Sequence, residues 1–253
     1  MCQLYTSTFV KTGMLDSEGR APYQQLPEAF SNCIDRKRAV DEIALVNRKT
    51  GQVHYGIDSL FYILGHSFPV FRPLFRNRFF AGAMRRLYRF ISFNRRIIMP
   101  SKRSETASEP GFNRKYRVAY LIFAWLFTSF ILHKYSHLMT GLVPAGTFCR
   151  ELLVCGGQMI WQGVVIRQTN RGREWDYLGT MMTVSLAGAL ALLPAYFIGH
   201  FVGAHPYIFT GWFLVVAGLM LLEHMRRVNI LGLNGLLSAT WVLYRLTLLF
   251  ILL

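Results

Sequence analysis

The chain has 253 residues, of which 53% are hydrophobic, and a formal charge of +15. That apolar content is high for an ordinary soluble domain. The two biases are unevenly placed: residues 1–117 hold 20 of the 28 Lys and Arg, and residues 118–253 are mostly apolar. A basic segment followed by a membrane segment is the organisation this implies.

MCQLYTSTFVKTGML opens the chain and predicts a short helix with Leu4, Phe9, Val10 and Met14 near one face. These residues lack the basic start and apolar run of a secretory signal, so the N-terminal part is expected in the cytoplasm. A short strand is predicted at Ala21–Leu26 and a helix over 27–38. EIALVNRKTGQVHYG alternates in polarity around Lys-Thr-Gly and predicts a hairpin. Gly56 leads into IDSLFYILGHS, a helix that Asp58 should cap and that should bury Leu60, Phe61 and Leu64.

Residues 72–103 carry ten basic residues and no acid. Phe80, Ala83, Leu87 and Ile91 recur there at helical spacing, with Arg85, Arg86 and Arg89 on other faces. A basic amphipathic helix next to a membrane segment points to anionic headgroups, worth about 1 kcal/mol per basic residue. Interleaved basic and aromatic residues would also suit a nucleic acid, but no nucleic-acid motif accompanies them. SKRSETASEPGFNRK, 101–115, reads as a polar linker.

Five membrane spans are predicted: 117–133, 143–166, 178–201, 207–222 and 230–253. Basic residues precede the first, lie between the second and third (Arg167, Arg171, Arg173), and lie between the fourth and fifth (Arg226, Arg227). That alternation places the N-terminal domain inside and the C-terminus outside. Pro194 should kink the third span, and the small residues of AGALA and GLNGLLSA suit close helix packing.

Residues 1–99 resemble the thiol-disulfide oxidoreductase DCC family. CQLYTSTFVKTGML is similar to its first helix, which begins at the second cysteine of Cys-x-x-Cys. IDRKRAVDEIALVNRKTGQVHYGIDSL resembles its strand pair and following helix, and LYRFISFNRR its closing helix. The resemblance implies an α/β thioredoxin-like domain lacking its first strand (1–99). A linker (100–116) and an all-α transmembrane helix bundle (117–253) follow. Cys2 would hold the resolving-cysteine position. The first strand, an aspartate and the first cysteine would lie before Met1, either because the reading frame begins at a methionine inside Cys-x-Met-Cys or because that part has been lost.

In that family the first thiol is the low-pKa nucleophile, and the second releases the product from the mixed disulfide. With Cys2 alone, the expected thiol-disulfide oxidoreductase activity would be impaired. Nothing in the sequence brings Cys33 near it.

A non-enzymatic scaffold or transporter subunit with a degenerate thioredoxin-like domain is the alternative. Expected partners are the lipid bilayer, anionic headgroups along 72–103 and a protein thiol, with no nucleic acid and no cofactor. The expected location is the inner membrane, multi-pass.

The remaining polar residues of the spans have plain readings. Cys149 and Cys155 are six apart, which is no helix-face repeat, so packing is expected rather than electron relay. His133, His137, His200 and His205 fall on the outer side, where a metal or haem would need them together. Gln158 and Gln162 share a helix face and suit interhelical hydrogen bonds. Arg245 and Glu223 lie at opposite depths and are not expected to pair.

Overall fold

The computed structural model describes residues 2–16, 33–35, 38–39, 42–47, 50–100, 111–203 and 205–252, with the side chains of 2–5, 202 and 252 excepted. The predicted strand at Ala21–Leu26 and most of the predicted helix over 27–38 lie outside them. The chain divides into two units, residues 1–95 with 103–113, and residues 96–102 with 114–253.

In the first unit, α1 (Cys2–Lys11) is a helix as predicted. The predicted hairpin is present: β1 (Ala44–Val46) pairs antiparallel with β2 (Val53–Tyr55), with Leu45 opposite His54. Its turn closes on Asn47, whose carbonyl accepts Gly51 N–H at 2.8 Å and whose side chain accepts Thr50 N–H at 3.3 Å. Gly51 takes φ +68°, a region glycine enters without penalty. These two strands are the sheet found among the described residues.

The strand runs through Gly56 into α2 (Ile57–Ser67). Gly56 holds φ 58°, ψ −127°, and a Cβ there would stand 2.9 Å from the Tyr88 ring. Because the helix starts at Ile57, Asp58 falls inside its first turn and not at the cap. Its carboxylate is used elsewhere: both oxygens accept from Arg85 Nε at 3.1 Å. That hydrogen bond, and then the charge, raise the Arg85 pKa above its ordinary value. Leu60, Phe61 and Leu64 are half-buried, not buried. Phe61 stacks on Phe75 at 4.7 Å and meets Phe80 at 6.0 Å.

After a 3-10 turn at Pro69–Phe71, α3 (Arg72–Arg76) and α4 (Arg78–Ile98) follow. The predicted apolar stripe of α4 divides. Phe80 joins the aromatic cluster, while Leu87 and Ile91 are exposed.

Five helices build the second unit: α5 (Arg114–Ser136), α6 (Phe148–Thr169), α7 (Glu174–Val202), α8 (Pro206–Ile230) and α9 (Leu236–Leu252). α7 packs on α5 and α8, and α6 packs on α5 and α9. One apolar core gathers Ile131, Tyr135, Leu138, Leu192, Phe209 and Val216; another gathers Ile166, Tyr177, Val228 and Leu237.

Among the described residues, three segments are long and apolar enough to cross a membrane: Arg114–Met139, Glu174–Phe201 and Pro206–Ile230. They correspond to the first, third and fourth predicted spans. The second predicted span is the helix α6, whose Arg150, Glu151, Gln158, Gln162 and Arg167 dilute its apolar character. The fifth is α9, apolar but only 17 residues long. It is shorter than predicted because GLNG is a turn. Gly232 takes φ +61°, and Asn234 Oδ1 accepts Leu236 N–H at 2.9 Å.

AGALA does pack closely, with Gly188 lying against the Met220 side chain. Helix α7 continues through Pro194, and one turn earlier Trp212 Nε1 donates to Ala191 O at 3.2 Å.

Candidate functional site

Cys2 begins α1, and its side chain is outside the described residues. Cys33 and Cys149 are exposed, Cys155 is buried, and all three are free thiols. His133 and His137 sit edge to face at 5.1 Å, and His133 Nδ1 is 2.6 Å from Gly146 O. Among the described residues, no group of three or more His, Cys, Asp or Glu could hold a metal ion.

What the bundle does bring together is a buried polar chain across four helices. Gln162 on α6, Tyr177 on α7 and His224 on α8 are 0%, 1% and 1% exposed. Tyr177 O–H donates to Gln162 Oε1 at 2.6 Å, and Gln162 Nε2 donates to Thr240 Oγ1 on α9 at 3.2 Å. Tyr177 O also lies 3.2 Å from His224 Nε2, and His224 Nδ1 lies 3.2 Å from Ser238 Oγ.

These distances fix a tautomer. A tyrosine has one proton, and the short contact commits it to Gln162. His224 therefore donates from Nε2 to Tyr177 and accepts at Nδ1 from Ser238 O–H. Every polar atom of this sequence of bonds has a partner, as burial in an apolar bundle demands. The His224 ring stacks on Trp241 at 5.3 Å, and the Arg245 guanidinium covers the same indole at 4.5 Å. Arg245 thus stays against α9's own indole, and its Nε is buried with no hydrogen-bond partner among the described residues.

Gln158 and Gln162 make the interhelical bonds their shared face predicts; Gln158 Nε2 reaches Trp241 O at 3.4 Å. Tyr177 and His224 escaped sequence reading. His224 stands in EHMRR, which reads as a loop between the fourth and fifth spans. The structure instead continues α8 to Ile230.

The same continuation explains the charges around His224. Glu223 accepts from Arg226 Nε at 2.6 Å and from Arg227 Nε at 2.7 Å. Arg227 also donates to Ile97 O at 2.8 Å and Ile98 O at 3.1 Å, carbonyls at the end of α4 that the helix itself cannot satisfy. Ile97 is fully buried against Gly179, where a Cβ would meet it at 2.7 Å. Asp176, next to Tyr177, faces Arg96 at 3.5 Å and Arg117 at 3.4 Å. Arg173 donates to Leu231 O at 2.8 Å. One end of the bundle is therefore tied by arginines, and the Tyr177–His224 pair lies directly beyond it in sequence on α7 and α8.

A membrane protein with a bonded polar core is the class these features define. No family model matches the chain, and no curated protein and no solved structure matches it either.

Proposed function

We propose that this is a five-span inner-membrane protein whose N-terminal unit is a DCC-type, thioredoxin-like thiol-disulfide exchange module on the cytoplasmic face. The observation that carries the reading is the order of elements. A helix starts at Cys2, the hairpin 44–55 passes through Gly56 into α2, and LYRFISFNRR lies within α4. That is the order in which the resemblance lays out the family's segments.

Cys2 takes the resolving position. Alone it cannot complete the dithiol cycle, so turnover is impaired, but its thiolate can still attack a partner's disulfide: one sulfur bonds to Cys2 as a mixed disulfide and the other leaves as thiolate. The basic stretch 72–103 holds the unit to anionic headgroups, and the exposed Leu87 and Ile91 of α4 offer apolar contact to the same interface. α6 and α9 complete the five spans, with their polar groups turned to one another.

The test is a full-length variant with Cys33, Cys149 and Cys155 replaced by serine. Cys2 should form a mixed disulfide with a model disulfide faster than a free cysteine does at neutral pH. A Cys2 no faster than free cysteine removes the redox reading. The scaffold or transporter-subunit reading then stands, favoured by the bonding of buried Gln162, Tyr177, His224 and Ser238 to one another. An N-terminal tag found accessible from outside intact cells would reverse the orientation.

A further inference from the structure

The first unit contains a polar cavity of about 290 Å³ between β2, the start of α2 and α4. Arg38, Arg85 and Arg89 face it together with Glu42, Asp58 and Tyr88. Three arginines against two carboxylates leave a net charge of +1.

The two acids each hold one arginine in place. Glu42 Oε2 takes Arg38 Nε at 3.2 Å, and the Arg38 guanidinium lies over the Tyr55 ring at 4.5 Å. Asp58 takes Arg85 through Nε and one terminal nitrogen, the latter at 3.0 Å. A guanidinium has five N–H donors, so both arginines keep donors beyond those bonds. Arg89, one turn from Arg85 on α4, has no acidic partner among the described residues. The first residues of α2, Ile57 and Asp58, also line the cavity, and an eleven-residue helix presents its positive end there.

We propose that this cavity binds the phosphate group of a small ligand. Donors arriving from two sides suit a tetrahedral anion with three or more acceptor oxygens better than a planar carboxylate. The phosphate could belong to a free solute or to a lipid headgroup, since α4 is also the basic amphipathic helix. The inference does not depend on the thiol chemistry: the two fail in different assays.

The experiment is calorimetric titration of the full-length protein in a neutral detergent. Inorganic phosphate and a short-chain phosphatidic acid are the two ligands, with chloride and acetate at matched ionic strength as controls. Saturable phosphate binding, weakened at least tenfold by Arg89→Gln, is expected. Arg89→Lys, which keeps the charge but not the fork, should fall between. Equal binding of both phosphates identifies the phosphate group alone as the ligand; tenfold tighter phosphatidic acid identifies the headgroup. Phosphate that binds no better than chloride or acetate, or that binds Arg89→Gln as tightly as the wild type, overturns the proposal. If Arg89→Gln does not fold, Arg89→Lys decides: weaker phosphate binding than the wild type supports the proposal and unchanged binding overturns it.

Discussion

Tyr177→Phe removes one oxygen from the centre of the bundle and leaves its shape intact. In the wild type that oxygen donates to Gln162 at 2.6 Å and accepts from His224 at 3.2 Å. Both partners are essentially fully buried, so neither can turn to water when the hydroxyl goes. An orphaned buried group costs about 1–3 kcal/mol in a water-referenced fold. Between membrane helices the average interhelical hydrogen bond is worth about 0.6 kcal/mol, because the unfolded helices also find partners. Two lost bonds therefore set an expected loss of about 1–3 kcal/mol, the lower end being twice the membrane average.

The assay is reversible unfolding in mixed micelles, run as a cycle with His224→Leu. Removing both partners leaves fewer orphans than the single changes summed, so the cycle should return a coupling of about 0.6–1.7 kcal/mol. Additivity within about 0.3 kcal/mol would show that the two side chains do not act as a bonded pair, and the tautomer argument would fall with it.

Four further outcomes follow from the same geometry. Gly157→Ala should cost about 1–3 kcal/mol in micelle unfolding, because its Cβ would collide with the Tyr244 hydroxyl that donates to Val154 O at 3.0 Å. Gly56→Ala should destabilise the first unit by at least about 1–3 kcal/mol, since φ 58° and ψ −127° suit glycine and the new methyl meets Tyr88; hydrogen exchange at β2 and α2 reads the loss. Arg227→Met strips the hydrogen bonds to Ile97 O and Ile98 O, and amide exchange in the last turn of α4 should quicken more than in α9. Binding of a peptide covering 72–103 to anionic vesicles should weaken as salt rises from 0.05 to about 0.5 M, whereas neutral vesicles should bind little at any salt.

The hairpin was legible because its signal is local: alternating residues flank a turn that glycine closes, and Gly51 and Asn47 supply that closure. The apolar helices were legible for the same reason, since length and composition decide them. Helix ends were not. Asp58 looks like a cap until the chain enters the helix at Ile57, and GLNG looks like packing glycine until Gly232 adopts a positive φ. The polar core was the least visible part. Gln162 could be singled out on α6, but Tyr177 and His224 have no neighbours in sequence that mark them. Their significance comes from meeting across α7 and α8, a tertiary fact. Glu223, His224, Arg226 and Arg227 also read as a hydrophilic loop, because four charged or ionisable residues in five suggest water, not a helix end neutralised by its surroundings.

Trp241 has both an imidazole and a guanidinium against its ring. Indole emission is sensitive to both neighbours, so this side chain is an intrinsic optical probe of the protein's interior. A variant that keeps Trp241 as its single fluorophore of this kind would report, without any added dye, whether the surrounding helices remain assembled.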